Sequence, residues 1–280
     1  FGVLAMTIDV LCRRAELEVG DLAAAIDEVR PDALIIDANC WGAMSAADAG
    51  DLPWAVFSPF TPFLRSRGVP PVGPGMRPRP GPLGFIRDLG VRAVVSRVMD
   101  RPMLARINGL RASVGAPQVR SVDAFLRRAP MMLVVGGEPF EYPQPGWGPR
   151  VHLIGACAGD PQPAEVPDWL ADIDLPIVLV TTSSIRQADS RLGLTALAAL
   201  ADEPVHVVAT FPAGVPEGMV VPPNATVRQF VPHGPVLDRA VCAITHGGMG
   251  ATLRALDRSV PVCVVPFGRD QHEVAMRVTV

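Results

Sequence analysis

The stretch Cys242 to Arg258 constrains the fold more than any other part of the chain. Cys242-Ala243-Ile244-Thr245 reads as a short buried strand. It runs through His246-Gly247-Gly248-Met249-Gly250 straight into a helix spanning Gly248 to Arg258. Glycines at a strand-to-helix junction let backbone N–H groups approach a phosphate, which the positive end of the helix dipole favours. Val262 to Val265, set between Pro261 and Pro266, is the next strand, and Asp270-Gln271 falls in the loop after it. In an open parallel sheet, ligands bind at the carboxyl ends of the strands, so the imidazole, the amides and the Asp-Gln pair converge on one crevice. Glycines with an imidazole suit a diphosphate, and Asp with Gln suits vicinal hydroxyls. A Gly-Gly-x-Gly on its own is often no more than a tight turn. The joint pattern suggests a nucleotide-sugar site.

The rest of the chain repeats the same rhythm. Asp21 to Arg30 has apolar residues at helical spacing and stops at Pro31. Ala33 to Ile36, ending at Asp37, and Trp54 to Phe57 read as short strands. Gly68 to Pro82 is dense in Pro and Gly and reads as an irregular loop. Ile86 to Val114 reads as helix interrupted near Pro102, and Met131 to Val135 and Val151 to Ile154 read as strands. Between Cys157 and Pro167, Gly159, Pro161 and Pro163 suppress regular structure and stiffen a linker. A fresh series follows: strand Ile177 to Thr182, helix Arg191 to Leu200, then strands Val205 to Thr210 and Thr226 to Phe230. The expected class is α/β with parallel sheets covered by helices. Two Rossmann-like domains are expected, residues 1–158 and 159–280.

Composition narrows the setting. At 280 residues and 49% hydrophobic, the chain can build two sizeable cores. All 25 basic residues are Arg, a coding bias of GC-rich genomes such as those of actinobacteria. A net charge of −3 gives no electrostatic case for nucleic acid or an anionic membrane. No apolar run approaches the ~20 residues of a membrane helix, and no signal peptide is apparent, so a soluble cytoplasmic protein is expected. Cys12, Cys40, Cys157, Cys242 and Cys263 are scattered and never paired as Cys-x-x-Cys, which argues against a disulfide framework or zinc site. Cys40, Cys242 and Cys263 lie in or beside apolar strands, where Cys behaves as a small buried hydrophobe. His152, His206, His233 and His272 show no metal-ligand spacing.

The pattern of His246, the glycine turn, a Val-Pro stretch and Asp270-Gln271 resembles the donor signature of the family 1 glycosyltransferases, which have the GT-B fold. Bacterial natural-product enzymes of the macrolide and enediyne type share it. The resemblance implies two Rossmann-like domains facing across a cleft, the N-terminal one binding the acceptor and the C-terminal one the nucleotide sugar. It extends upstream to Gln229-Phe230-Val231-Pro232-His233, which is similar to the family's base-recognition loop. By analogy Phe230 stacks on the base, Val231 offers backbone groups, and His233 holds a position filled by Gln in the plant enzymes. Taken alone, Phe230 reads rather as a strand-end core aromatic. Ser183-Ser184 resembles a hydroxyl-rich phosphate loop. The diphosphate falls to Ser183, His246, Gly248, Met249, Gly250 and Ala251, and the sugar to Asp270 and Gln271. No metal or other cofactor is implied, because imidazole and helix dipole balance the leaving charge.

Two positions depart from the family pattern. Ala251 stands where the family usually has Ser or Thr, and Arg254 where it usually has a ribose-binding Glu; Arg has no acceptor to offer. Asp37 matches the carboxylate that orients the catalytic imidazole, and reads otherwise as a cap of the following helix. Phe57, Phe60 and Phe63, with Trp54, form an aromatic group where the family binds its acceptor, or ordinary core packing. A hydrophobic hydroxylated acceptor is implied, and a homodimer is left open. The Gly-His turn that carries the family's base does not precede Phe1, and the chain stops before the family's closing helices. It therefore reads as a fragment short of roughly 100 N-terminal residues for a domain of ordinary size. The reading is an inverting glycosyltransferase using a dTDP- or UDP-hexose or deoxyhexose, the isolated chain being inactive. A non-catalytic donor-binding protein and a GT-B epimerase are the alternatives.

Overall fold

The computed structural model describes residues 2–159, 166–185 and 187–279, with side chains from residue 8 onward. Pro161 and Pro163 of the proline-rich linker lie outside the described residues. The chain divides into two compact units, one of residues 1–72 and 76–155, the other of residues 73–75 and 156–280.

The first unit begins with α1, Gly2–Val29, a longer helix than the Asp21 to Arg30 segment read from the sequence. Ile8, Cys12 and Ala15 recur at helical spacing and are buried in the unit's core, and the segment contains no proline before Pro31 to end the helix. The parallel strands β1 (Leu34–Asp37), β2 (Trp54–Ser58), β3 (Met132–Val134) and β4 (Val151–Leu153) follow in that spatial order. The short helix α2 (Trp41–Ala49) connects β1 to β2; α3 (Pro82–Val95), α4 (Arg101–Ser113) and α5 (Val122–Leu126) lie between β2 and β3. The interruption expected near Pro102 is a π-helical turn at Ser96–Asp100 between α3 and α4. Pro102 cannot donate an amide hydrogen bond, and the wider turn before it carries the helical path across that site.

Helices α1 and α2 meet through Gly42, where a Cβ would stand 1.9 Å from the carbonyl oxygen of Ala15. This approach brings the Glu18 carboxylate to the start of α2, where it accepts from the amides of Gly42 and Ala43 at 2.9 and 3.5 Å. The cap of α2 is therefore supplied from another helix. Asp37 instead accepts from the Asn39 amide at 2.8 Å, a local Asx turn. Its expected alternative role as a helix cap is thereby replaced.

In the second unit, β5 (Ile177–Thr181), β6 (His206–Thr210), β7 (Ala225–Arg228), β8 (Ala240–Thr245) and β9 (Val262–Val264) form a parallel sheet ordered β7-β6-β5-β8-β9. Helices α6 (Asp168–Ala171), α7 (Ser190–Ala199), α8 (His233–Leu237), α9 (Met249–Asp257) and α10 (Gln271–Arg277) complete it. Every residue of β5 is buried. Ile177 and Leu179 face a core shared with α8 and α9, while Val178 and Val180 face another shared with α7. A central strand buried on both faces needs this unbroken apolar run. The order of the strands reverses between β5 and β8, which creates a topological switch point.

Two boundary expectations and one burial expectation change. Strand β7 ends at Arg228 and leaves Phe230 outside it. Gln271 is the first residue of α10, with Asp270 as its N-cap, rather than part of a loop. Cys263 is exposed at an outward position of the edge strand β9, and Cys40 and Cys242 are only half-buried.

Candidate functional site

Of the sequence-derived residues of the second unit, Ser183, His246, the glycine turn, Asp270 and Gln271 gather at the switch point. His246 follows β8 directly, and its Nδ1 lies 3.5 Å from the carbonyl of Thr181 at the end of β5. A carbonyl can only accept, so Nδ1 carries the hydrogen in that contact. His246 is 9% exposed. Burial pushes its pKa below the ordinary value, against the Thr181 carbonyl and the carboxylates of Asp189 and Asp270, which act in the other direction.

The glycine turn has a distinct task at each position. Gly247 has φ +88°, a conformation that L side chains rarely adopt, and a Cβ there would stand 2.9 Å from Val264 Cγ1. Gly248 has ordinary φ and serves as N-cap of α9, with no side-chain cap. Its Cα lies so close to the imidazole that a Cβ would stand 2.5 Å from His246 Nε2. At Gly250 an added Cβ would meet nothing within 4 Å. The first amides of α9 lack intrahelical acceptors, as in any helix start, and here they share the crevice with the His246 ring. Met249 contributes only backbone to this edge, since its side chain is buried. Ala251 is half-buried. Thr245 anchors the turn, its Oγ1 accepting from the Gly247 amide at 3.1 Å and meeting Thr252 Oγ1 at 3.3 Å.

After β5, the Ser183 amide donates to Asp189 Oδ2, and Ser183 Oγ accepts from the Ile185 amide at 3.1 Å. Asp189 is itself buried and holds this loop closed. Its importance was missed in the sequence, where it precedes a helix and looks like an ordinary cap. The signal that matters, a contact six residues back, belongs to the loop's folded shape.

On the far side, Phe230 is 74% exposed. An aromatic side chain this open is not part of a core, so the strand-end core reading of Phe230 does not hold. Val231 is buried in the core, so only its backbone faces outward. His233 starts α8, and its Nε2 meets Thr210 Oγ1 at 3.2 Å.

Gln271 is 2% exposed. Its Oε1 accepts from the amides of Phe267 and Gly268 at 2.7 and 3.1 Å, and its Nε2 donates to Gln187 Oε1 at 3.0 Å. This side chain ties the loop after β9 to the loop after β5. Asp270 is half-buried and lies close enough to His246 to act on its charge. Arg254 has a buried Nε with no hydrogen-bond partner among the described residues.

The remaining expected residues lie in the first unit. Asp37 ends β1, half-buried, and only its Oδ1 has a partner among the described residues. The aromatic group splits. Trp54 and Phe57 stand three residues apart on β2 and therefore point to opposite faces. Trp54 is core, while Phe60 and Phe63 pack edge-to-face at 6.4 Å against that core.

The chain is similar to several known proteins. The family described as UDP-glucoronosyl and UDP-glucosyl transferase matches residues 111–280. The 4'-demethylrebeccamycin synthase of Lentzea aerocolonigenes is 32% identical over 285 residues, an alignment covering 99% of this chain and 67% of that one. The demethyllactenocin mycarosyltransferase of Streptomyces fradiae is 28% identical over 142 residues, covering 50% of this chain and 30% of its own. Among solved structures, the glycotransferase of kitacinnamycin superposes with a TM-score of 0.72 at 24% identity, covering 98% of this chain and 68% of that one. The chain thus spans about two thirds of the Lentzea protein's length. With its α/β units forming a GT-B fold, it belongs to the UDP-glucoronosyl and UDP-glucosyl transferase family and is a glycosyltransferase.

Proposed function

We propose that the protein transfers a hexose or deoxyhexose from a dTDP- or UDP-sugar to a hydroxyl of a hydrophobic natural product, with inversion. The observation that carries this reading is the contact of His246 with Gly248 at the uncapped start of α9, on the switch point. In the displacement, the acceptor hydroxyl gives its proton to the imidazole base that the family resemblance implies, and its oxygen bonds to the anomeric carbon as the bond from that carbon to the diphosphate oxygen breaks. The leaving diphosphate then sits at His246 and the amides of Gly248, Met249, Gly250 and Ala251, with the Ser183 hydroxyl beside them. Such donors, fixed before reaction, lower the barrier where charge develops, and the scheme uses no metal.

Phe230 stacks on the base while Val231 and His233 border it, and Asp270 accepts from sugar hydroxyls. Gln271 serves the sugar chiefly by holding its loop. Asp37, anchored through Oδ1, uses its other oxygen to orient the imidazole base that the family resemblance implies. Phe57, Phe60 and Phe63 serve an apolar acceptor. A natural-product acceptor is supported by the names of the Lentzea and Streptomyces relatives. The lean toward dTDP follows from Arg254, because losing a ribose-binding carboxylate matters less for deoxyribose.

A second reading, donor binding without transfer, is favoured by Ala251 and by the unpartnered Nε of Arg254. Calorimetric titration with dTDP and UDP tests the site. His246→Ala should cost about 1.5–3 kcal/mol of affinity, and unchanged affinity would overturn the assignment. Mass spectrometry with dTDP-glucose and phenolic and macrolide acceptors, on a protein that also carries the family's Gly-His turn, separates the readings: a glycosylated product supports transfer, and nucleotide binding with no product supports the second.

A further inference from the structure

The first unit holds a recess of about 380 Å3 with a charge pattern that nothing above uses. One wall is a single face of α3, on which Phe85, Asp88, Leu89 and Arg92 follow at intervals of three and four residues. The other walls come from the loop carrying Arg67 and Val69 and from Arg79. The position of Arg79 is built in: Gly84 lets its backbone lie on α3, where a Cβ would stand 1.8 Å from the Arg79 carbonyl oxygen.

Four arginines, Arg65, Arg67, Arg79 and Arg92, line this recess with one acidic residue. That carboxylate, Asp88, is 7% exposed and already neutralised by Arg87, which donates from Nε and Nη2 at 2.9 and 2.7 Å. Arg65 pairs with Asp100 at 3.2 Å. The side chains of Arg67, Arg79 and Arg92 have no ion-pair or hydrogen-bond partner among the described residues. Beside them, Phe85 and Leu89 remain 65% and 58% exposed. Three uncompensated cations next to open apolar surface, in a concavity of ligand size, call for a molecule with a negative head and an apolar body. Planar guanidinium forks match a carboxylate or sulfonate in two-point contact.

We infer that this recess binds a small amphipathic organic anion, its head among Arg67, Arg79 and Arg92 and its body on Phe85 and Leu89. None of these residues takes part in the donor site, so the ligand would bind whether or not sugar transfer follows.

The test is titration of the protein with 2-naphthoate and naphthalene-2-sulfonate, using 2-naphthalenemethanol as the neutral counterpart, by calorimetry and ligand-observed NMR. Both anions should bind about tenfold more tightly than the alcohol, and the difference should shrink at high salt. The double variant Arg79→Gln/Arg92→Gln should lower anion affinity about tenfold while leaving the alcohol unchanged. If that variant does not fold, Arg67→Gln, on an exposed loop, should show a smaller loss with the same selectivity. Phe85→Ala should weaken all three ligands. Equal affinity for anion and alcohol would overturn the inference, as would variants that bind the anions like the parent. Co-sedimentation with phosphatidylglycerol vesicles, without binding of the soluble anions, would also overturn it and assign the surface to lipid.

Discussion

The imidazole of His246 lies against the Cα of Gly248, leaving 2.5 Å between Nε2 and the place a Cβ would occupy. The two glycines of the turn should therefore fail in different ways. Gly248→Ala meets only the end of a side chain that can swing aside, so the fold should hold while His246 leaves its position. Nucleotide affinity should then drop toward that of His246→Ala with little change in Tm. Gly247→Ala meets a forbidden φ and the Val264 side chain, and should cost about 1–3 kcal/mol of stability. Thermal melts and nucleotide titrations on both variants check the contrast; equal loss of stability would refute it.

The tautomer of His246 makes donor binding depend on pH. With Nδ1–H directed at Thr181, Nε2 can donate to a phosphate only when the ring is doubly protonated. Burial keeps the free protein's ring below its ordinary pKa, so a bound diphosphate must raise it, and binding takes up a proton. Affinity for dTDP should increase as pH falls from about 8 toward about 6, around the ordinary histidine value. Stability runs the other way. A folded pKa below the unfolded one means that the contribution of the ring is complete above about 6.5 and is lost as pH falls through the folded value. Calorimetry in buffers of different ionisation enthalpy measures the proton uptake directly.

Asp270 and Gln271 are adjacent yet should behave differently. Asp270→Asn should weaken the sugar nucleotide and leave the free nucleoside diphosphate nearly unchanged. Gln271→Ala strips two loop amides of their acceptor, at about 1–3 kcal/mol, and should loosen both loops at the switch point. Its effect should reach the free nucleotide as well. Titrating both ligands into both variants distinguishes the roles, and identical profiles would contradict them.

In the first unit, Arg111 is fully buried and pairs with Asp48 at 2.6 Å, while Arg128 reaches the same carboxylate at 2.9 Å. Asp48→Ala leaves a buried guanidinium without its counter-charge and should cost about 3–5 kcal/mol. The carboxyl itself is raised by desolvation but pulled further down by Arg128 and Arg111, ending below its ordinary value. The stability it supplies is therefore present above pH ~3.9 and is lost as pH falls through the depressed folded value. Denaturant melts of the parent and Asp48→Asn across that range should converge at low pH.

Much of this protein is legible without coordinates, and the reason is local. A run such as Ile177 to Thr181 declares a strand buried on both faces, and Gly247 before an amphipathic segment declares a turn into a helix, because backbone conformation depends on near neighbours. Those units in alternation lead to a parallel sheet, and the reversal of strand order places the ends of β5 and β8 side by side. What packing alone decides is which side chain answers which. Asp37 looks like the cap of α2, but Glu18 performs that task from a helix 24 residues earlier in the chain, through Gly42. Gln271 looks like a sugar ligand, yet folding places it within reach of Gln187 and commits its oxygen to Phe267 and Gly268. Trp54 and Phe57 look like one aromatic group until the pleat of β2 sends them to opposite faces. Each of these outcomes depends on groups brought together only when the elements pack, so residue type and spacing set the backbone path, and the tertiary contacts set what each side chain has left to offer a ligand.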